Sequence, residues 1–169
     1  MAITLVATPK AANANTYATQ AESVSYHETH LYASAWDDAV SEKQKAALVW
    51  ATRLLDDSLD FEGWRTTTTQ KLSWPRIGIW TRDNITVDDD VIPQFLINAT
   101  SELARTLLEA DRTAEPDTKG FSKISVGPIS LSVDKLDSRL NPIPDSVMEM
   151  LHDWARFARA SSTIKVVRT

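Results

Sequence analysis

Apolar and polar positions alternate along this chain with two different periods. Ala47, Trp50, Ala51, Leu54, Leu55, Ser58 and Leu59 fall at i, i+3, i+4, i+7, i+8, i+11 and i+12, which is one face of a helix. Ile92, Phe95, Leu96, Ala99, Leu103 and Leu107 draw a second helical stripe to about Ala110, and Val147, Leu151, Trp154, Ala155 and Ala158 a third. Two capping boxes mark helix starts: Thr19 with Glu22, opening a helix to about Tyr32, and Ser41 with Gln44 after the break at Trp36-Asp37-Asp38. Pro93 suits the first turn of the Ile92–Leu107 helix, and Pro142 and Pro144 lead into the last one. Period two appears in Lys123–Val126 and Ile129–Val133 on either side of Gly127-Pro128, which predicts a β-hairpin with one wet face.

Between Gly63 and the second stripe lies a long connection, Trp64 to Asp90. Connections of this length usually bind something or pack with their own side chains, and Trp64, Leu72, Trp74, Ile77, Ile79 and Trp80 predict packing. The expected fold class is therefore mainly α. It is a small bundle of about four helices with one β-hairpin, a long packed loop and extended N- and C-terminal arms. Residues 1–18 form an extended lead-in in which Ile3-Thr4-Leu5-Val6 has strand character. Residues 19–158 form the helical domain, with the hairpin at about 122–134, and residues 159–169 a basic C-terminal arm.

Composition narrows the function. With 169 residues the size prior is one domain. The absence of cysteine removes a disulfide framework, a thiolate nucleophile and a thiolate metal site. Lys and Arg total 18 against 23 Asp and Glu, and the net charge of −5 has the wrong sign for a protein that coats nucleic acid over its whole surface. Four glycines are too few for phosphate-cradling loops. No apolar run approaches a membrane span, and Met1–Pro9 lacks the charged stretch of a signal peptide, so a soluble domain is expected.

Candidate chemistry is sparse. His27 and His30 sit at i, i+3, not the i, i+4 of a helical zinc site, and read as a pair on a polar surface. Asp88-Asp89-Asp90 lacks calcium-loop spacing and reads as charge complementing a helix start. His152 and Asp153, adjacent on a helix, should point to different sides. No serine lies in a glycine-flanked elbow. The expectation is no enzyme, no catalytic residue, no metal and no cofactor. Of six tryptophans, Trp50 and Trp154 lie on apolar stripes and are expected in the core. Trp64, Trp74 and Trp80, near Arg65, Lys71, Arg76 and Arg82, could instead stack single-stranded bases, although Trp74-Pro75 looks like a loop pinned to the core. Ile164-Lys165-Val166-Val167-Arg168 is β-prone and basic, fitting either a partner-binding strand or a frayed end.

Several segments in order carry a family resemblance. They are Asn15-Thr16-Tyr17, Ala46-Ala47-Leu48, Ala51-Thr52-Arg53-Leu54-Leu55-Asp56, Gly63-Trp64-Arg65, Gln70-Lys71-Leu72-Ser73-Trp74-Pro75-Arg76 with Gly78, Ile92-Pro93, Ala99 with Glu102-Leu103-Ala104, and Val126-Gly127-Pro128-Ile129. Together they resemble the bacteriophage head–tail adaptor, or head completion, proteins, some of whose relatives carry the label "putative DnaT-like" and are named as single-stranded-DNA binders. The resemblance implies a structural virion protein of the neck, assembled in the host cytoplasm. It would form a homo-oligomeric ring, usually twelvefold, beneath the portal protein, and dock a downstream neck or tail protein. Duplex DNA would pass through its lumen without specific binding. Under that reading Ile164, Lys165, Val166, Val167 and Arg168 would contact the portal. Trp64, Arg65, Trp74, Pro75, Arg76 and Trp80 would form subunit contacts, and Asp88, Asp89 and Asp90 would line the channel. The alternative is a replication-type, DnaT-like module that binds single-stranded DNA.

Overall fold

The computed structural model describes residues 2–114, 123–126, 129–132 and 141–158. Its elements, in chain order, are α1 (Gln20–His27), α2 (Ser34–Asp37), α3 (Ser41–Ser58), β1 (Leu59–Phe61), β2 (Trp64–Arg65), β3 (Arg76–Ile77), α4 (Gln94–Glu109), β4 (Lys123–Val126), β5 (Ile129–Ser132), α5 (Asp145–Leu151) and β6 (Ala155–Phe157). The architecture is mainly α with a small β component. The strands pair antiparallel as β1 with β6, β2 with β3 and β4 with β5.

Helix α4 is the axis of the fold and packs against α3, α5, α1 and α2. Being covered on several sides, it buries more than its predicted stripe: Thr100, Ser101, Glu102, Ala104 and Thr106 join Leu96, Ala99 and Leu103. The small side chains let neighbouring helices approach. Thr100 and Ser101 satisfy their hydroxyls on the carbonyls of Leu96 and Ile97, at 2.7 and 2.9 Å, so their burial leaves no orphan donor. Pro93 precedes the first helical residue as the cap.

The Thr19–Glu22 capping box forms as the sequence predicts. Helix α1 ends at His27, short of Tyr32, and α2 is a single turn. The second box does not form: Val40 caps α3 without a side-chain hydrogen bond. Gln44 instead donates to the Trp36 carbonyl at 2.9 Å, and Ser41 pairs with Gln20. The lead-in is not a strand. Asn15 accepts from the Val6 N–H and donates to the Thr4 carbonyl, which holds residues 4–6 extended while Ala14, Tyr17 and Ala18 enter the core.

The last helix is also shorter than its apolar stripe suggests. It stops at Leu151, and Ala155–Phe157 pairs with Leu59–Phe61 in the register Leu59↔Phe157, Asp60↔Arg156, Phe61↔Ala155. Apolar spacing cannot distinguish a buried turn and strand from another helical turn. The predicted hairpin does form, with Val126 opposite Ile129. Its Gly127-Pro128 turn, the break at Pro116 and the whole basic arm of residues 159–169 lie outside the described residues.

Candidate nucleic-acid interface

The long connection divides into a buried half and an exposed half. Leu72, Trp74 and Ile79 are buried, with Trp74 edge-on to Phe61 and Phe95. Trp64 and Trp80, by contrast, are 71% and 56% exposed, and Ile77 is exposed beside them. Packing therefore explains Trp74 but not the other two indoles.

Backbone pairing sets where those indoles stand. Trp64 pairs with Ile77 and Arg65 with Arg76 across β2 and β3. The Trp64 ring lies over Gly78, where an added Cβ would come within 3.1 Å of it. Beyond Gly78 the chain makes a second hairpin. Val87 N–H donates to Ile79, Thr81 N–H to Ile85, and Trp80 bridges Thr86. Trp154 Nε1 donates to the Trp80 carbonyl at 3.1 Å, and Trp154 stacks on Phe95 with centroids 3.9 Å apart. Trp154 is half-buried rather than fully in the core.

Arg76 is the staple of this region. Its guanidinium donates to the carbonyls of Phe61, Glu62, Gly63 and Ser73 at 2.5–3.1 Å. Burial pushes its pKa below the usual arginine value. It belongs to the loop's structure and is not available to a ligand. Behind it, the Tyr17 hydroxyl donates to Asp56. The Ser73 N–H reaches both Tyr17 Oη and Asp56 Oδ2 at 3.1 Å, anchoring the Trp74-Pro75 turn to the lead-in and α3. Burial raises the pKa of Asp56 and, further, that of Tyr17, the latter reinforced by the neighbouring carboxylate. Sequence reasoning gave Tyr17 and Asp56 no chemistry. The signal available was an acid directly following the buried Leu55 of α3.

Cations remain at the surface. Arg65 and Lys71 are exposed, with Arg65 Nη2 3.5 Å from Ser73 Oγ. Lys71 lines a groove of about 210 Å³ with Asn15, Thr52, Arg53, Asp56 and Asp57. Trp50, expected in the core, is 40% exposed and carries Arg53 over its ring at 5.2 Å. The buried face of α3 centres on Leu48, Ala51, Thr52 and Leu55, so Trp50 lies at its margin.

Two further expectations change. His27 is not on the surface. It is buried against Trp36, with ring centroids 4.7 Å apart and Nε2 3.2 Å from the Ser101 carbonyl, and burial lowers its pKa. His30 lies 3.5 Å from Glu102, which Arg105 binds at 2.8 Å. His152 and Asp153 converge rather than diverge, because α5 ends before them, and both meet Arg82. Asp88, Asp89 and Asp90 are exposed, and the Asp89 carbonyl accepts from Thr66 Oγ1 at 2.9 Å. Among the described residues no group of three or more metal-ligating side chains gathers. Ile164 to Arg168 lie outside the described residues.

In comparison with known proteins, the family model described as "Putative DnaT-like ssDNA binding protein" matches residues 1–169. Neither the curated proteins nor the solved structures contain a match. The family match overturns the head–tail adaptor reading. Portal, homo-oligomeric ring and downstream neck or tail protein were partners implied by that resemblance alone. So was duplex DNA passing unbound. They fall with it, as does the structural-virion description; the portal-contact, subunit-contact and channel-lining roles given to individual residues rested on the same resemblance. The ordered segments that suggested an adaptor belong to a family described by DNA binding.

Proposed function

Since the chain belongs to the DnaT-like single-stranded-DNA-binding family, we propose that it binds single-stranded DNA by stacking bases on Trp64 and Trp80, with phosphates drawn to Arg65 and Lys71. The observation that carries this reading is the exposure of two indoles, Trp64 and Trp80, on a loop that buries its third, Trp74. An indole left in water forgoes a large burial gain, whereas every base has a π-face to cover it. The role is binding, and no catalytic step is proposed.

Net charge shapes the mode. At −5 the protein repels DNA at long range, so contact is local and short-range stacking carries much of the affinity. Two phosphate contacts, from Arg65 and Lys71, give a logarithmic salt slope of about −1.4. The test is a fluorescence titration with oligo-dT at two salt concentrations. Expected is tryptophan quenching that weakens with salt, and Trp64→Ala or Trp80→Ala should each weaken binding about 5- to 100-fold with an unchanged CD spectrum. No quenching at low salt, or full affinity in both variants, refutes the proposal.

A further inference from the structure

The hairpin that carries Trp80 is tied to the turn after α5 through one guanidinium. Arg82 stands at the hairpin tip, two residues beyond Trp80. Its Nε donates to Asp153 Oδ2, and one terminal nitrogen lies 2.8 Å from His152 Nε2. The other terminal nitrogen has no hydrogen-bond partner among the described residues, and the side chain is 67% exposed despite its ion pair. His152 is oriented by its own helix: Nδ1 donates to the Glu149 carbonyl at 2.7 Å, so Nε2 turns its lone pair toward Arg82. Asp153 Oδ1 lies 3.1 Å from the same Nε2. The Trp154 hydrogen bond to the Trp80 carbonyl fixes hairpin and turn side by side, so Arg82 is held two residues from Trp80 on an anchored hairpin.

We propose that Arg82 is a phosphate subsite for a strand stacked on Trp80, masked in the free protein by the Asp153 carboxylate, which a DNA phosphate displaces. This rests on the single-stranded-DNA reading and deepens it. Three observations favour it. The guanidinium is 67% exposed while the Asp153 side chain is 25% exposed, so a phosphate reaches Arg82 from the solvent side and exchanges for the carboxylate there. A phosphate matches the guanidinium fork as well as a carboxylate does, and brings the neighbouring base onto Trp80 with it. The pattern also fits the acidic chain: Arg156 similarly meets Glu62 at 3.5 Å and Lys45 meets Glu42 at 2.9 Å, so several surface cations are held by acids. A masked cation attracts a lone anion weakly. It responds to a ligand that supplies stacking and phosphate together.

The test is a double-mutant cycle read by oligo-dT titration on the full chain, with CD to confirm folding. Asp153→Asn, with Asp153→Ser as a second variant, is expected to tighten binding about threefold at low salt. It should also steepen the logarithmic salt slope by about 0.7, because the phosphate contact at Arg82 is no longer offset by a freed carboxylate that takes up a cation. In an Arg82→Gln background the same change should give no gain. A gain that persists without Arg82 would show a general loss of negative charge and overturn the proposal, as would unchanged affinity in both Asp153 variants. If wild type binds no oligonucleotide, the DNA-binding reading itself fails and this subsite with it. That outcome is distinct from wild-type binding that is indifferent to Asp153.

Discussion

Replacing Arg76 should separate the stability of the long connection from its binding role. The guanidinium holds four backbone carbonyls, one at the end of β1, two on the turn linking β1 to β2 and one at Ser73. A hydrogen bond from a charged donor contributes about 1.5–3 kcal/mol taken singly. Four from one side chain do not add, since the carbonyls regain water in part when it is removed. Arg76→Ala should therefore cost about 3 kcal/mol. Arg76→Lys should cost about 2 kcal/mol, because a single ammonium cannot reproduce the fork. In a chain of this size that corresponds to a fall in Tm of about 6–12 °C for the alanine variant. Urea unfolding followed by far-UV CD measures it directly. The β2–β3 ribbon carries Trp64, so Arg76→Lys should also weaken oligo-dT binding at temperatures where the variant is still folded. A loss under about 1 kcal/mol in Arg76→Ala would refute the claim that this residue is the staple.

Two other perturbations follow from the geometry. Gly63→Ala drives a Cβ into the Ile77 carbonyl oxygen on a residue with φ of +68°, so it should destabilise by at least about 2 kcal/mol in thermal or urea unfolding. His27 has its folded pKa lowered by burial, so the unfolded chain binds its proton more readily. Its contribution is fully present above the unfolded value of about 6.5 and is lost as pH falls through that value toward the lower folded pKa. Urea midpoints at pH 7.5 and 5.5 should show this loss, and His27→Phe, which keeps a ring against Trp36, should reduce it. An equal pH dependence in that variant would assign the effect elsewhere.

Local chemistry determined several features of this protein without reference to the fold. The Thr19–Glu22 box, the stripes of α3 and α4, the period-two hairpin strands and the exclusion of cysteine chemistry depend on neighbours a few residues apart. The sequence places those neighbours unaided. Tertiary packing decided what local spacing could not. The tryptophans carry similar local signals, yet α4 and β1 cover Trp74, while the pairing of Trp64 with Ile77 and the Trp80 hairpin leave those two rings in water. Trp50 lies on a valid stripe but at its edge, because the helix rotates to put Leu48 and Leu55 against its partners. His27 reads as polar until α2 brings Trp36 over it, and Arg82 reads as a free cation until the end of α5 delivers Asp153 seventy-one residues away. Burial and ion pairing are properties of surfaces that meet, so a one-dimensional pattern fixes which residues can take part and only the packed chain decides which of them face solvent.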